Sequence, residues 1–343
     1  MKALLIGMGM VAQTHILALR DNGAGVRLDG VLGRDADRVR AFCAQAEKTL
    51  GYAVAPVTDM AQAMARQPDV ALLITPPDAR DAYARSLSAA GIPTLMEKPV
   101  ERSLDAARAV VEVYGRAGVP LGFFFQHRTR AAAATLRDKL HSGVLGDIVH
   151  IEMRVPWWRD QAYYDAPGRG TYARDGGGVM INQAIHTLDL GLWLAGPVDR
   201  VQAMMRTSPL HMMEAEDIAT ALFNFQSGAS GVLSATTAAY PGGMESITIL
   251  TTKGQAVLIG DDLRIDLIDG SGETLSLQGD GGTGGGSDPM AFTHAWHQSV
   301  LEDFAQAVQT GHAPLAPPQD ALRVHAVIDA MERAARTGAE VQV

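Results

Sequence analysis

Two stretches hold side chains of the kinds that move protons. Glu97-Lys98-Pro99 directly follows the apolar run Pro93 to Met96. Pro99 biases Lys98 away from helical angles, so the lysine is expected to project from the end of a strand. A lysine partly withdrawn from water and close to a positive group has a lowered pKa, and can then exchange a proton with a hydroxyl. The plainer alternative is a surface ion pair between Glu97 and Lys98. Further along, Gly176-Gly177-Gly178 precedes a helical pattern carrying Asn182, His186 and Asp189. The spacing i, i+4, i+7 sets the three on one face. Asn182 and His186 are then one turn apart, roughly 6 Å along the axis. A lone histidine beside Leu and Ile is usually a hydrogen-bonded core group, but two polar groups on one stripe beside a triple-glycine turn point to a pocket. A metal would need Asp189 as third ligand, at or past the edge of that face, so no metal is expected.

Between these stretches lies a cluster of Trp157, Trp158, Arg159, Tyr163, Tyr164, Arg169 and Tyr172. Aromatic faces and guanidinium groups suit sugar rings and anionic substituents; the alternative is a packed connecting loop. Arg128, His294 and His297 are weaker candidates. The pairs Met204-Met205 and Met212-Met213 read as core or loop filler.

A third constellation belongs to a phosphate-bearing ligand. Gly7-Met8-Gly9-Met10-Val11-Ala12 follows the apolar run Ala3 to Ile6 and opens a helical pattern. The first glycine allows a tight turn, the second a close approach of backbone to a pyrophosphate, and the small Ala12 close packing of helix on strand. The helix N-terminus offers N–H groups and a partial positive charge. At the end of the next strand a carboxylate would accept the ribose hydroxyls of NAD. Here Leu32 is followed by Gly33-Arg34, Asp29 falls too early, and Asp35 reads as a helix cap. Arg34, with Arg38, could pair with a 2′-phosphate, so the cofactor is read as NADP or NAD, with NADP favoured. The alternative is a solvated arginine beside a ribose.

The elements that must hold these residues change character along the chain. The first third alternates buried strands (Val26 to Leu32, Val70 to Ile74, Pro93 to Met96, Pro120 to Phe125) with helical patterns, one opened by Asp35 and one by Ser103. That alternation predicts a doubly wound parallel sheet. The second half carries β-branched strands joined by short turns: Asp147 to Val155, Val198 to Arg206, Ile218 to Phe225, Ala229 to Ala238, Ser246 to Thr251, Ala256 to Ile259 and Arg264 to Leu267. They predict a largely antiparallel sheet, interrupted by one helix over Val179 to Leu194 and closed by two terminal helices. The fold class is therefore α/β, with a dinucleotide-binding domain over 1–122 and an α+β domain over 123–343. The glycine-rich stretch Gly279 to Ser287 reads as a mobile loop, with a substrate lid as the second reading.

Bulk composition agrees. A chain of 343 residues exceeds one ordinary core. A formal charge of -9 without a basic stripe argues against nucleic acid and anionic membranes. The single cysteine, Cys43, permits no intrachain disulfide and fits a reducing cytoplasm. No run is as long as a membrane-spanning helix.

Taken together, Gly7-x-Gly-x-x-Ala12-x-x-His15, Thr75-Pro76, Glu97-Lys98-Pro99, the stretch from Gly176 through Asn182 and His186 to Asp189, and the closing region Glu302-Asp303-Phe304 to Arg336 resemble the glucose–fructose oxidoreductase / inositol dehydrogenase / rhizopine catabolism (Gfo/Idh/MocA) family over essentially the whole chain. The resemblance implies a Rossmann domain followed by a domain with a large, mainly antiparallel sheet. It implies reversible oxidation of a secondary hydroxyl on a sugar, cyclitol or related polyol, with Lys98 and His186 as the catalytic pair. It places cofactor contacts at Gly7, Gly9, Met10, Val11, Ala12, Gly33, Arg34, Arg38, Thr75, Pro76, Glu97 and Lys98. Substrate contacts would come from Lys98, Trp157, Arg159, Tyr163, Arg169, Asn182 and His186. Many members carry aspartate where this chain has Asn182; an amide cannot relay protons here but can still orient a substrate. A second departure is Pro77-Asp78-Ala79-Arg80, where members often have an Asn and a later His. A homodimer or homotetramer is expected, the open face of the large sheet covered by a second copy. Two other readings stay open: a redox-neutral, glycosidase-like enzyme that retains its nicotinamide, and a non-catalytic dinucleotide sensor.

Overall fold

The computed structural model describes residues 1–276, 282, 284–286 and 288–343. The chain opens as β1 (Lys2–Ile6), α1 (Ala12–Asp21), β2 (Arg27–Leu32), α2 (Ala36–Leu50), β3 (Ala55–Val57), α3 (Met60–Ala65), β4 (Val70–Leu73), α4 (Arg80–Ala89), β5 (Thr94–Met96), α5 (Leu104–Ala117) and β6 (Leu121–Phe123). The six strands form one sheet in the order β3-β2-β1-β4-β5-β6, every pairing parallel. Leu4 to Ile6 of β1 and all of β4 are buried, as continuous apolar runs require when helices cover both faces. Asp35 and Ser103 cap α2 and α5 through their side chains, ending each preceding loop where the sequence places those residues. The short β3 and α3 escape the sequence reading: three residues with a central Pro56, then six residues, are too brief to show a period.

The second sheet follows α6 (Ala131–His141) and collects β7 (Ile148–Pro156), β8 (Val198–Arg206), β9 (Ile218–Phe225), β10 (Ser230–Thr236), β11 (Ser246–Thr251), β12 (Gly254–Ile259), β13 (Asp262–Leu267), β14 (Gly272–Ser276) and β15 (Val341–Gln342). Their order is β14-β13-β12-β11-β7-β10-β9-β8-β15, antiparallel except for β7 beside β10. Alternation along β7 buries Ile151, Met153 and Val155 and leaves Glu152 and Arg154 outside. Between β7 and β8 come the single turn α7 (Gln161–Tyr164), a π turn over Met180–Ala184, and α8 (Ile185–Ala195), nearly all of which is buried. After β14 the chain forms α9 (Ala295–Thr310) and α10 (Pro318–Thr337).

The chain separates into two compact units, Met1–Gln126 with Thr293–Ala321, and His127–Phe292 with Leu322–Val343. A cut into 1–122 and 123–343 therefore misplaces α9. Its apolar stripe Val300, Leu301, Phe304 and Ala305 joins the core made by Leu5, Ile16, Leu19 and Phe124, and the N–H of Phe123 donates to the carbonyl of Ala316 at 3.2 Å. The stretch Gly279 to Ser287 lies largely outside the described residues. Among the described residues, no helix is long and apolar enough to cross a membrane.

Candidate active site

In the first unit, four adjacent strands deliver candidate residues to one sheet edge. In spatial order β2-β1-β4-β5, the carboxyl ends lead into Gly33-Arg34, the glycine turn, Thr75-Pro76 and Glu97-Lys98. Ligands of open parallel sheets bind at that edge. Hydrogen bonds carry the ladder past the strand ends: Gly7 N–H to Leu32, Ile74 N–H to Ile6 and Glu97 N–H to Leu73, at 2.9–3.1 Å. Gly7 has φ +109°, and a Cβ there would meet the backbone nitrogen of Thr75 at 3.0 Å. A Cβ on Gly9 would meet nothing within 4 Å. No side chain caps α1 at Val11, and Met10 is exposed. An open glycine backbone beside an uncapped helix N-terminus is a cradle that fits a pyrophosphate.

At the end of β2 the carboxylates are engaged elsewhere. Asp29 is ion-paired to Arg66 at 2.6 Å, and Asp35 accepts from the N–H groups of Asp37 and Arg38. Arg34 and Arg38 are exposed.

Lys98 is half-buried and its loop is clamped from beneath. Arg80, itself buried, donates from Nε to the Thr75 carbonyl at 2.9 Å, from Nη1 to that of Glu97, and from Nη2 to that of Lys98 at 3.4 Å. Burial lowers its guanidinium pKa to about 10, against Glu97, Glu101 and Asp78, which raise it. Glu97 is buried too, and so is not part of a surface ion pair. Its Oε1 accepts from His15 Nε2 at 3.0 Å and lies 3.4 Å from His297 Nε2. Burial pushes the Glu97 carboxyl up, but the two imidazoles outweigh it and hold it well below the usual range. His297, offered above as a substrate contact, is instead a buried partner of Glu97, and His294 bonds Asp21 at 2.7 Å. His15 and Arg80 were visible only as members of motifs, because their partners lie 82 and up to 18 residues away.

In the second unit, His186 sits at the start of α8 and is buried. Its ring stacks on that of His127, centroids 4.9 Å apart and planes at 28°. The even i, i+4, i+7 stripe does not survive intact, because the π turn over Met180–Ala184 widens the helix between Asn182 and His186. Asn182 is half-buried and its amide nitrogen donates to the carbonyls of Gly177 and Gly178 at 2.9 and 3.1 Å, tying down the glycine turn. Asp189 is fully buried and takes two bonds from Arg128, Nε to Oδ2 at 2.8 Å and Nη2 to Oδ1 at 2.6 Å. Arg128 thus serves α8 as a structural ion pair. The buried Glu216 accepts from the N–H groups of Gly178 and Met180, capping the helix start. A Cβ on Gly178 would fall 1.8 Å from the Glu216 carbonyl oxygen, which is why that position must be glycine.

The aromatic segment divides. Arg159 is buried and its terminal nitrogens donate to the carbonyls of Trp158, Gly284 and Gly286 at 2.6 Å. Expected as an anion contact, it is a clamp on backbone, since carbonyls met in the fold already take its donors. Trp157 is buried with its indole N–H 3.4 Å from Glu245, and Tyr164 bonds Thr237 at 2.6 Å. Tyr163 and Arg169 remain half-buried, the guanidinium 5.0 Å above the ring. Gln183 on the π turn donates to the Tyr163 hydroxyl at 3.3 Å, which links this pair to the helix bearing His186. Tyr172 and half-buried Trp158 complete the segment.

A parallel six-stranded sheet with this glycine cradle defines a dinucleotide-binding fold. Family models agree: an oxidoreductase-family NAD-binding Rossmann fold matches residues 1–125, and a GFO/IDH/MocA C-terminal domain matches residues 133–257. The chain belongs to the GFO/IDH/MocA family of oxidoreductases. It is 25% identical to D-apiose dehydrogenase of Paraburkholderia graminis over 350 residues, covering 100% of this chain and 89% of that one. It is 31% identical to myo-inositol dehydrogenase Hyg17 of Streptomyces leeuwenhoekii over 206 residues, covering 59% and 60%. The WlbA dehydrogenase of Bordetella pertussis, solved in complex with NADH and UDP-GlcNAcA, superimposes with a TM-score of 0.83 at 26% identity over 100% of this chain and 98% of that one.

Proposed function

We propose that this oxidoreductase oxidises a secondary hydroxyl of a sugar, cyclitol or related polyol, or reduces the corresponding ketone. The observation that carries the reading is the shared sheet edge, where the glycine cradle and Lys98 follow strands of the same parallel sheet. The substrate class rests on relatives named as D-apiose and myo-inositol dehydrogenases. When bound, the dinucleotide supplies the acceptor for the hydride, at nicotinamide C4. Lys98 Nζ takes the hydroxyl proton as a neutral amine, and returns it in reduction. His186 is the second proton-transfer group, with Asn182, Tyr163 and Arg169 as substrate contacts. Arg34 and Arg38 favour NADP over NAD.

The partner expected on the open face of the large sheet is a second copy of the chain. Met204 and Leu222, on adjacent strands β8 and β9, are half or more exposed there. A monomeric mass by light scattering would contradict this. The buried thiol of Cys43 fits a reducing cytoplasm.

The test of activity is Lys98→Ala against a panel of sugars and polyols. Turnover is expected to fall on the order of 10²–10⁴-fold, with dinucleotide affinity nearly unchanged. Unchanged turnover would sink the assignment. Product formation without net absorbance change from reduced nicotinamide would favour the redox-neutral alternative. Tight dinucleotide binding with no reactive substrate would favour a sensor.

A further inference from the structure

The ring on which His186 stacks is itself held in one chemical form. Arg130 is buried and its Nη2 lies 2.7 Å from His127 Nε2. A guanidinium can only donate, so this nitrogen must be the acceptor and the proton of His127 must sit on Nδ1. The other end of Arg130 is anchored: its Nη1 donates to the buried Glu245 at 2.6 Å, and Asp261 lies 3.7 Å from its Nε. A cationic His127 would lose its bond to Arg130 and set a like charge against the guanidinium. His127 is therefore a neutral, oriented ring.

We infer that His127 is the positioning residue for His186, a flat uncharged imidazole that fixes the plane of the proton-transfer ring. The inference rests on the reading of His186 as a proton-transfer group. A stacked neighbour restricts ring rotation about the Cβ–Cγ bond, so the plane of the proton-transfer ring is set before substrate arrives. A neutral neighbour also leaves His186 room to hold a proton without a like charge against its face.

The experiment compares His127→Phe, which keeps a flat ring, with His127→Asn, which keeps an acceptor for Arg130 but no ring, using the substrate found in the polyol panel. We expect His127→Asn to lower kcat about tenfold or more, with KM for the dinucleotide unchanged, and His127→Phe to recover most of the loss. Recovery by Asn and not by Phe would overturn the inference, because the role would then be to satisfy Arg130. His186→Ala is measured in parallel. If it leaves turnover unchanged, the reading of His186 fails; if it abolishes turnover while both His127 variants act like the parent, only the positioning role fails. Should the variants not fold, ¹⁵N spectra of the unaltered protein decide: an Nδ1-protonated neutral His127 supports the inference, and an Nε2-protonated or cationic ring overturns it.

Discussion

The buried guanidinium of Arg80 donates from Nε to the carbonyl oxygen of Thr75 at 2.9 Å. The same group reaches the carbonyls of Glu97 and Lys98, so one side chain pins the ends of β4 and β5 together beneath the candidate catalytic lysine. Arg80→Met would leave three carbonyls short of a donor. An unsatisfied buried polar group costs roughly 1–3 kcal/mol, so the expected destabilisation is at least about 2 kcal/mol, read as a lowered urea midpoint. Arg80→Lys should not restore it, since a single ammonium lacks the planar fork. An unchanged midpoint in Arg80→Met would refute the clamp.

The pair Arg128–Asp189 offers a second stability test. Both side chains are buried and doubly bonded. Removing one partner strands a charge in the interior, which costs about 3–5 kcal/mol. Asp189→Ala should therefore unfold at markedly lower denaturant, while the double variant Arg128→Met with Asp189→Leu should recover much of the loss. Equal midpoints for single and double variants would show that the pair is not coupled.

Glu332 links stability to pH. Burial, reinforced by Glu216 and Asp329, pushes its carboxyl up to about 7. Between about 4.5 and 7 the folded protein keeps a proton that the unfolded chain has released, so stability falls as pH rises through that window. Below it the penalty vanishes; above it the penalty is complete, on the order of 3 kcal/mol. Glu332→Gln should stabilise the protein at pH 8 and leave it unchanged at pH 4. A stabilisation equal at both pH values would refute the shift.

The proposed preference for NADP rests on Arg34 and Arg38. Charge-assisted bonds to a phosphate are worth about 1.5–3 kcal/mol each, so Arg34→Ala should weaken NADPH roughly 10- to 100-fold in a fluorescence titration and barely change NADH. Tight NADH binding by the unaltered protein, with negligible NADPH affinity, would remove the preference for NADP.

Much of the architecture is local and so was legible in the chain itself. Continuous apolar runs become β1 and β4, alternation becomes β7, and the side chains of Asp35 and Ser103 end up as caps, because each depends on neighbours within a few residues. The glycine turn belongs to the same class: Gly7 takes a φ of +109°, open to glycine and disfavoured for other residues. Elements too short to carry a period, β3 and α3, fell below that threshold.

What a side chain does once it meets a distant partner was not legible. Arg159 has the composition of an anion contact, yet its terminal donors go to carbonyls, two of them more than 100 residues away. His297 has the composition of a substrate contact, yet it lies against Glu97. Helix α9 follows the antiparallel strands in sequence but buries its apolar stripe in the core of the first unit. The sequence by itself determined the cradle for the dinucleotide and the lysine at the strand end, through short-range geometry. Only the tertiary structure decided which charges are clamps, which imidazole lies against a guanidinium, and where α9 belongs, because burial makes each polar group take whatever partner the fold brings within reach.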